Sequence, residues 1–326
     1  MPELPEVETI VRQLNKKVAG RKIIDAWTDW PKTIKTHTLE KFISAIRGRK
    51  ILHARRRAKY ILMDLSGGKT LVIHQKISGH LLYGKWVRQN QKSSQETGQS
   101  GSTAQARIKN QNGKSKLKNI DSKAKQIWVS AIPGPLRNDR NNQFIRFILF
   151  LDNGWQLALS DLRRFAKVYL VDTDKVEKMT DIGKLGPEPL DRSFTFEKFR
   201  ELMAKKRGAI KKVLMDQFTI AGIGNIYSDE ILWYAAIHPL HRVEKLNDKE
   251  LAAIYKYIRL VLKKAISAKG SSQEDYRTLD GKFGKYQNMQ KAYQQTGKKC
   301  QKGDGGVIKR IKVNGRSAHF CPVHQK

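Results

Sequence analysis

The chain has 326 residues, 39% hydrophobic and 29% charged, which is enough apolar material for two packed cores and excludes wholesale disorder. Lys and Arg number 64 against 30 Asp and Glu, a formal charge of +34 that points to a polyanionic partner, nucleic acid before an anionic membrane surface. Two cysteines exclude a disulfide framework and fit a reducing, cytoplasmic compartment, while no apolar run is long enough to span a bilayer and the acidic N-terminus does not read as a signal peptide.

In chain order, Val7, Ile10, Val11, Leu14 and Val18 recur at helical spacing, with Pro5, Glu6 and Glu8 suited to a first turn. Strand-like runs follow at 22–27, 50–54, 60–65, 70–74, 144–151, 155–160 and 167–171. They are short, mostly alternating and separated by Gly, Asn and Asp turns, a pattern that predicts an antiparallel β-sandwich. Residues 88–126 interrupt it: 22 of these 39 are Gln, Asn, Ser, Thr or Gly, and the segment is expected to be a flexible basic insertion. Gly186-Pro-Glu-Pro-Leu190 is a stiff, non-helical joint. Helical patterns then cover 196–206, 209–217 and 225–236, and a long amphipathic helix begins after Asn247 and ends before Gly270. At the C-terminus a strand at 307–313 runs into Asn314-Gly315, a strong hairpin signal.

Three features can carry chemistry. Removal of Met1 before the small Pro2 leaves a secondary amine, less basic than a lysine and able to attack an electrophilic sugar carbon, with Glu3 and Glu6 within a turn of it to move protons. The turn Ala221-Gly222-Ile223-Gly224 leads into a helix beginning at Asn225, whose free N–H groups suit a phosphate; the Gly-x-Gly pair by itself reads rather as a tight turn between packed helices. Cys321-Pro-Val-His324 has the spacing of half a zinc site, with Cys300 and Asp304 left to supply an irregular other half.

Together, Pro2-Glu-Leu-Pro-Glu-Val-Glu8, Asp161-Leu-Arg-Arg-Phe165, Gln217…Gly222-Ile-Gly-Asn-Ile-Tyr-Ser-Asp-Glu230 and Gly315-Arg316…Cys321-Pro322 resemble formamidopyrimidine-DNA glycosylase, over nearly the whole chain except the insertion. The resemblance implies an α+β fold: a catalytic N-terminal antiparallel β-sandwich flanked by helices (1–185, carrying the 88–126 insertion), a hinge (186–192), a helix–two-turn–helix DNA-binding domain (193–298) and a zinc-finger-like C-terminal β-hairpin (299–326).

Carried over position by position, the resemblance makes Pro2 the nucleophile at C1′ of the damaged nucleotide and Glu3 the general acid/base. Glu6 becomes the carboxylate that orders the site, Lys59 the site lysine that holds a phosphate, and Asn225 with Arg316 a phosphate clamp. Arg163, Phe165 and Ile77 match the side chains that fill the gap left by an everted base, with Ile77 standing where the family usually has methionine. His74, Lys76, Arg164, Lys211 and Tyr293 complete the DNA-contacting set, and the polar stretch from Gly270 to Phe283 resembles a loop that closes over the base. Cys300, Asp304, Cys321 and His324 would hold one structural zinc ion. The implied activity is excision of 8-oxoguanine and formamidopyrimidines from duplex DNA in base excision repair, with an abasic-site lyase step, by a monomer with no membrane partner. Two other readings stand beside it: the endonuclease VIII-like branch, against which Leu4 in place of glycine speaks, and a non-catalytic nucleic-acid-binding module.

Overall fold

A computed structural model describes residues 1–90, 126–273 and 275–326. The N-terminal helix α1 (Leu4–Lys17) forms where the apolar spacing predicts it, with Pro5 and Glu6 in its first turn and Lys16 and Lys17 in its last. Beyond it lie β1 (Ile23–Thr28), α2 (Leu39–Ile46), β2 (Ile51–Arg57), β3 (Tyr60–Leu65), β4 (Lys69–His74), β5 (Gly79–Gly84), β6 (Trp86–Asn90), β7 (Gln126–Ser130), β8 (Ile145–Leu151), β9 (Gln156–Asp161) and β10 (Lys167–Asp172). The helical part follows: α3 (Thr180–Gly183), α4 (Phe196–Ala204), α5 (Ile210–Met215), α6 (Asn225–Ala235) and α7 (Asp248–Ser267), before a final hairpin of β11 (Lys309–Val313) and β12 (Arg316–Phe320).

Two four-stranded antiparallel sheets, ordered β1-β8-β9-β5 and β10-β4-β3-β2, make the sandwich. Side chains of a strand alternate between faces, so one strand serves two layers. Ile61, Met63, Leu71, Ile73, Phe147 and Leu149 fill the space between the sheets, whereas Leu62 and Val72 face outward beneath Val176 and Ile182. Val7, Ile10, Val11 and Leu14 of α1 belong to the inter-sheet core, but Leu4 packs in the second core with Ile223, Tyr227, Ile258 and Leu262. One helix therefore joins both cores at its first turn. Among the described residues no helix is long and apolar enough to cross a membrane.

Several details depart from the sequence-based expectation. Strand β5 was not anticipated, nor were α2 and α3. The ends of the expected insertion are ordered: β6 and β7 pair as a two-stranded ribbon in which Asn90 faces Gln126. The Arg88 guanidinium lies 4.9 Å from the Trp27 ring and 5.1 Å from that of Trp128, which pins the ribbon to β1. Residues 91–125, where the flexibility was expected, lie outside the described residues.

The Gly186–Leu190 joint is clamped to the turn between β2 and β3. Glu188 accepts the Ala58 N–H at 2.5 Å and pairs with Arg56 at 2.6 Å and Arg57 at 3.3 Å, while Arg57 donates to the Leu185 and Gly186 carbonyls. Ala58 is left-handed, with φ 52°, a strained setting for a residue with a Cβ that this clamp supports. Removing Glu188 leaves the nearly buried Arg56 with fewer partners, so Glu188→Ala should lose about 3 kcal/mol of stability, a drop of roughly 6–12 °C in melting temperature that differential scanning calorimetry would register.

Candidate active site

Residues far apart in sequence meet where α1 begins. Glu3 is buried, and its carboxylate accepts N–H groups from Gly224 (2.7 Å), Ile226 (2.9 Å) and Tyr227 (3.4 Å). It thereby satisfies donors that the first turn of α6 cannot use internally and lies at the positive end of that helix. The glycines make the approach possible: a Cβ on Gly224 would lie 2.4 Å from the Glu3 carboxyl carbon, and one on Gly222 (φ +91°) would meet Leu4 at 2.7 Å. Gln217 frames the same turn, accepting the Gly222 N–H at 2.9 Å and donating to the Ile223 carbonyl at 2.7 Å.

Glu6 is also buried, and accepts from the Tyr227 hydroxyl (2.5 Å), the Ser271 N–H (2.7 Å) and the Glu3 N–H (2.9 Å). Burial, then the nearby charge of Glu3, pushes its carboxyl above the ordinary range despite these donors. Lys59 donates to the Ile223 carbonyl at 3.1 Å. Burial lowers its pKa, and the Glu3 and Glu6 carboxylates offset part of that effect.

These groups open into a cleft of about 330 Å3 lined by Met1, Glu3, Lys59, Ile77, Arg163, Asn225, Tyr293 and Arg316, among others. Pro2 is buried and borders an adjoining small chamber together with Met1, Glu6, Ile77, Ser271 and Tyr276. Asn225 is the first residue of α6. Arg316 begins β12 directly after the Asn314-Gly315 turn, whose positive φ angles of 48° and 75° are those a tight hairpin needs.

Three exposed side chains stand on two loops, and two of them, Ile77 and Arg163, line the cleft. Ile77 (38% exposed) comes from the β4–β5 loop, Arg163 and Phe165 (53% exposed) from the β9–β10 loop. A single buried carboxylate ties the loops together: Asp161 accepts the Ser78 hydroxyl at 2.6 Å and the N–H groups of Arg163 (3.2 Å) and Ala166 (2.7 Å). Arg164 is left-handed and stacks over Trp30 at 4.7 Å, outside the cleft lining. His74 is buried beside Tyr60, and its Nδ1 accepts the Lys76 N–H at 2.9 Å. Burial, helped by the Lys76 charge, holds its pKa down to about 3. It is therefore a neutral imidazole with its proton on Nε2, a hydrogen-bond donor without charge. Lys59, His74, Lys76, Lys167 and Lys184 line a second cleft of about 450 Å3.

One expected contact is corrected. Lys211 is fully buried and forms an ion pair with Asp229, which also accepts the His319 N–H at 3.0 Å. Its ammonium joins α5, α6 and β12 and has no surface to offer DNA. Tyr293 is held by its N–H to the buried Glu230 carboxylate at 2.9 Å, with its ring edge-on to His319. The roles of Asp161, Gln217 and Tyr227 were missed. All lie in the motifs quoted above, but their partners are distant in sequence.

Ligand atoms of Cys300, Asp304, Cys321 and His324 lie within 4.8 Å of one another. His324 Nε2 contacts the Trp233 carbonyl at 3.1 Å, which leaves Nδ1 facing Asp304 and Cys300. A Cβ on Gly306 would intrude to 2.3 Å from the Cys321 sulfur, so the glycine keeps the cradle open. The donor set and its convergence fit a tetrahedral metal ion.

The family model for the formamidopyrimidine-DNA glycosylase N-terminal domain matches residues 1–168, and that for the family's H2TH domain matches residues 185–277. The chain belongs to this family of DNA glycosylases. The formamidopyrimidine-DNA glycosylases of Herpetosiphon aurantiacus and Protochlamydia amoebophila are 35% and 34% identical to it, with both chains covered in full. Among solved structures, a complex between a variant of the Lactococcus lactis glycosylase and DNA containing Fapy-dG superposes with a TM-score of 0.77 at 30% identity, again over all of both chains. The wild-type L. lactis protein bound to DNA containing an oxidised pyrimidine superposes at 0.76 and 29%.

The raised pKa of Glu6 has a measurable consequence. A carboxyl whose folded pKa lies above its unfolded value stabilises fully below the unfolded value, and that contribution is lost as pH rises through the folded one. Raising the pH from about 4.5, the ordinary carboxyl range, should therefore lower the melting temperature of the wild type relative to Glu6→Gln. A constant difference across the titration would contradict the assignment.

Proposed function

We propose that the chain excises oxidised purines, 8-oxoguanine and formamidopyrimidines, from duplex DNA as a monomer and then cleaves the resulting abasic site. The observation that carries this reading is the convergence of Pro2, Glu3, Glu6 and Lys59 at the floor of a cationic cleft. Once Met1 is removed, the Pro2 nitrogen attacks C1′ and the glycosidic bond breaks towards the base, which leaves with a proton. Opening of the sugar puts a hydroxyl on C4′ and gives an iminium between C1′ and Pro2. Loss of a C2′ proton expels the 3′ phosphate, and a second elimination expels the 5′ phosphate. Glu3 exchanges these protons, held in place by its three N–H donors. Lys59, Asn225 and Arg316 grip phosphates beside the lesion, with His74 donating from Nε2. Arg163, Phe165 and Ile77 offset the few kcal/mol lost when the base leaves the stack.

The L. lactis complex with an oxidised pyrimidine favours one second reading, in which oxidised pyrimidines are also substrates. We further propose that Cys300, Asp304, Cys321 and His324 hold a structural zinc ion, which would brace the hairpin that presents Arg316.

Borohydride should trap the wild-type protein covalently on an 8-oxoguanine duplex, and Pro2→Gly should lose about a hundredfold or more of that product. Undiminished trapping by the variant would refute the mechanism, and thymine-glycol duplexes in the same gel separate the two substrate readings. Elemental analysis should find one zinc per chain, and Cys321→Ser should lose both the metal and duplex affinity; a metal-free wild type that binds duplex normally would count against the zinc.

A further inference from the structure

The cradle of Cys300, Asp304, Cys321 and His324 rests on one side chain of α6. Trp233 is 3% exposed and packs in a small cluster with Ala292, Ile308 and both cradle cysteines. Its backbone carbonyl lies 3.1 Å from His324 Nε2, and its ring meets the imidazole edge-on, with centroids 5.3 Å apart. A carbonyl can only accept, so Nε2 carries the proton and the Nδ1 lone pair is left to the cradle. Cys321 is tied to the same end of the helix: its N–H donates to Gln325 at 2.8 Å, and the Gln325 amide donates to the Ile237 carbonyl at 2.9 Å.

The indole N–H of Trp233 stands apart from this pattern. It is buried and has no hydrogen-bond partner among the described residues. Buried donors are almost always satisfied, and an apolar ring of similar size would fill the space without leaving one open. The group it can reach is the Cys300 sulfur. Burial pushes that thiol up, and two N–H groups oppose the shift, the Lys302 backbone and the Trp233 indole. The Lys302 ammonium also lies over the indole, 5.2 Å from its centroid, and brings a positive charge to the same edge. A neutral thiol is a weak acceptor, which leaves the donor poorly used. A thiolate on a metal ion carries charge and accepts strongly.

We propose that Trp233 is a positioning residue for the metal, its carbonyl fixing the ligating form of His324 and its indole N–H bonding the Cys300 sulfur once that sulfur is a metal-bound thiolate. The Cys300 proton leaves to solvent as the metal binds. The proposal rests on the zinc reading above and extends it to a residue outside the four ligands. It also joins the cradle to the helix whose first turn holds Glu3, so the metal, the Arg316 hairpin and the Pro2 end of the cleft share α6 as their support.

The test uses the full-length chain, stripped of metal with a chelator and reloaded with zinc or with cobalt(II). Wild type is compared with Trp233→Phe and with a chain carrying benzothienylalanine at position 233, which keeps the shape of the indole and replaces its N–H by sulfur. Zinc affinity, read by chelator competition, should fall about tenfold or more in both, as for other lost partners of metal ligands. The sulfur-to-cobalt charge-transfer band should shift in both, because the thiolate loses a hydrogen bond. The melting temperature of the metal-free benzothienylalanine chain should match that of the metal-free wild type. An unchanged band and affinity in that chain overturn the proposal. So does an equal loss of stability in its metal-free and loaded forms with the band in place, since a packing role moves both alike. A wild type that takes up neither metal overturns the zinc reading, whereas a loaded wild type indistinguishable from both substituted chains overturns only the role of Trp233.

Discussion

The structure depends on three backbone N–H groups that converge on the carboxylate of Glu3. They belong to the first turn of a helix more than 200 residues later in the chain, and the carboxylate belongs to the residue beside Pro2. A negative group at a helix N-terminus is stabilised both by hydrogen bonds and by the helix field. Because both elements are themselves packed into cores, the contact fixes the N-terminus to the seam between sandwich and helices. Leu4, which donates its N–H to the Gly222 carbonyl at 3.0 Å and packs in the helical core, adds a second lock one residue on.

The seam gathers buried charge that a stable fold alone would avoid. Glu3, Glu6 and Lys59 are all nearly inaccessible. Taking ionised groups out of water is unfavourable unless each is paired and hydrogen-bonded. Here the carboxylates accept hydrogen bonds from backbone N–H groups and a tyrosine hydroxyl, and the lysine donates one to a carbonyl. These contacts are all made within the chain itself, so the cluster is held in place by its own fold.

Much of this was legible in the sequence. Alternation placed seven of the sandwich strands, because each has one or both faces in an apolar layer, and helical spacing placed α1, α4, α5, α6 and α7. Strand β5 escaped because glycines bound it: a Cβ on Gly79 would lie 2.3 Å from the Gln75 carbonyl, so the residue that permits the turn also weakens the strand pattern. Pro2, Glu3 and Lys59 were legible through the resemblance of several ordered motifs, since none of those residues is informative by itself. Lys211 was misread for a physical reason. A lysine in a basic helix is ordinarily solvated, and its burial depends on Asp229, one helix further on, whose position only the folded chain reveals. The tie from Asp161 to Ser78 is hidden in the same way, spanning a separation of 83 residues.

The β6–β7 ribbon has an evolutionary consequence. Its end residues, Asn90 and Gln126, are register partners, so whatever length of chain joins them begins and ends one strand spacing apart. The entropy of closing such an excursion grows only logarithmically with its length, about 0.6 kcal/mol for each doubling. With the stalk anchored by the Arg88 guanidinium between two indoles, this edge of the sandwich can gain or lose dozens of residues without disturbing the layers beneath. It is a tolerant port in the sandwich edge, set apart from the seam where α1 meets α6.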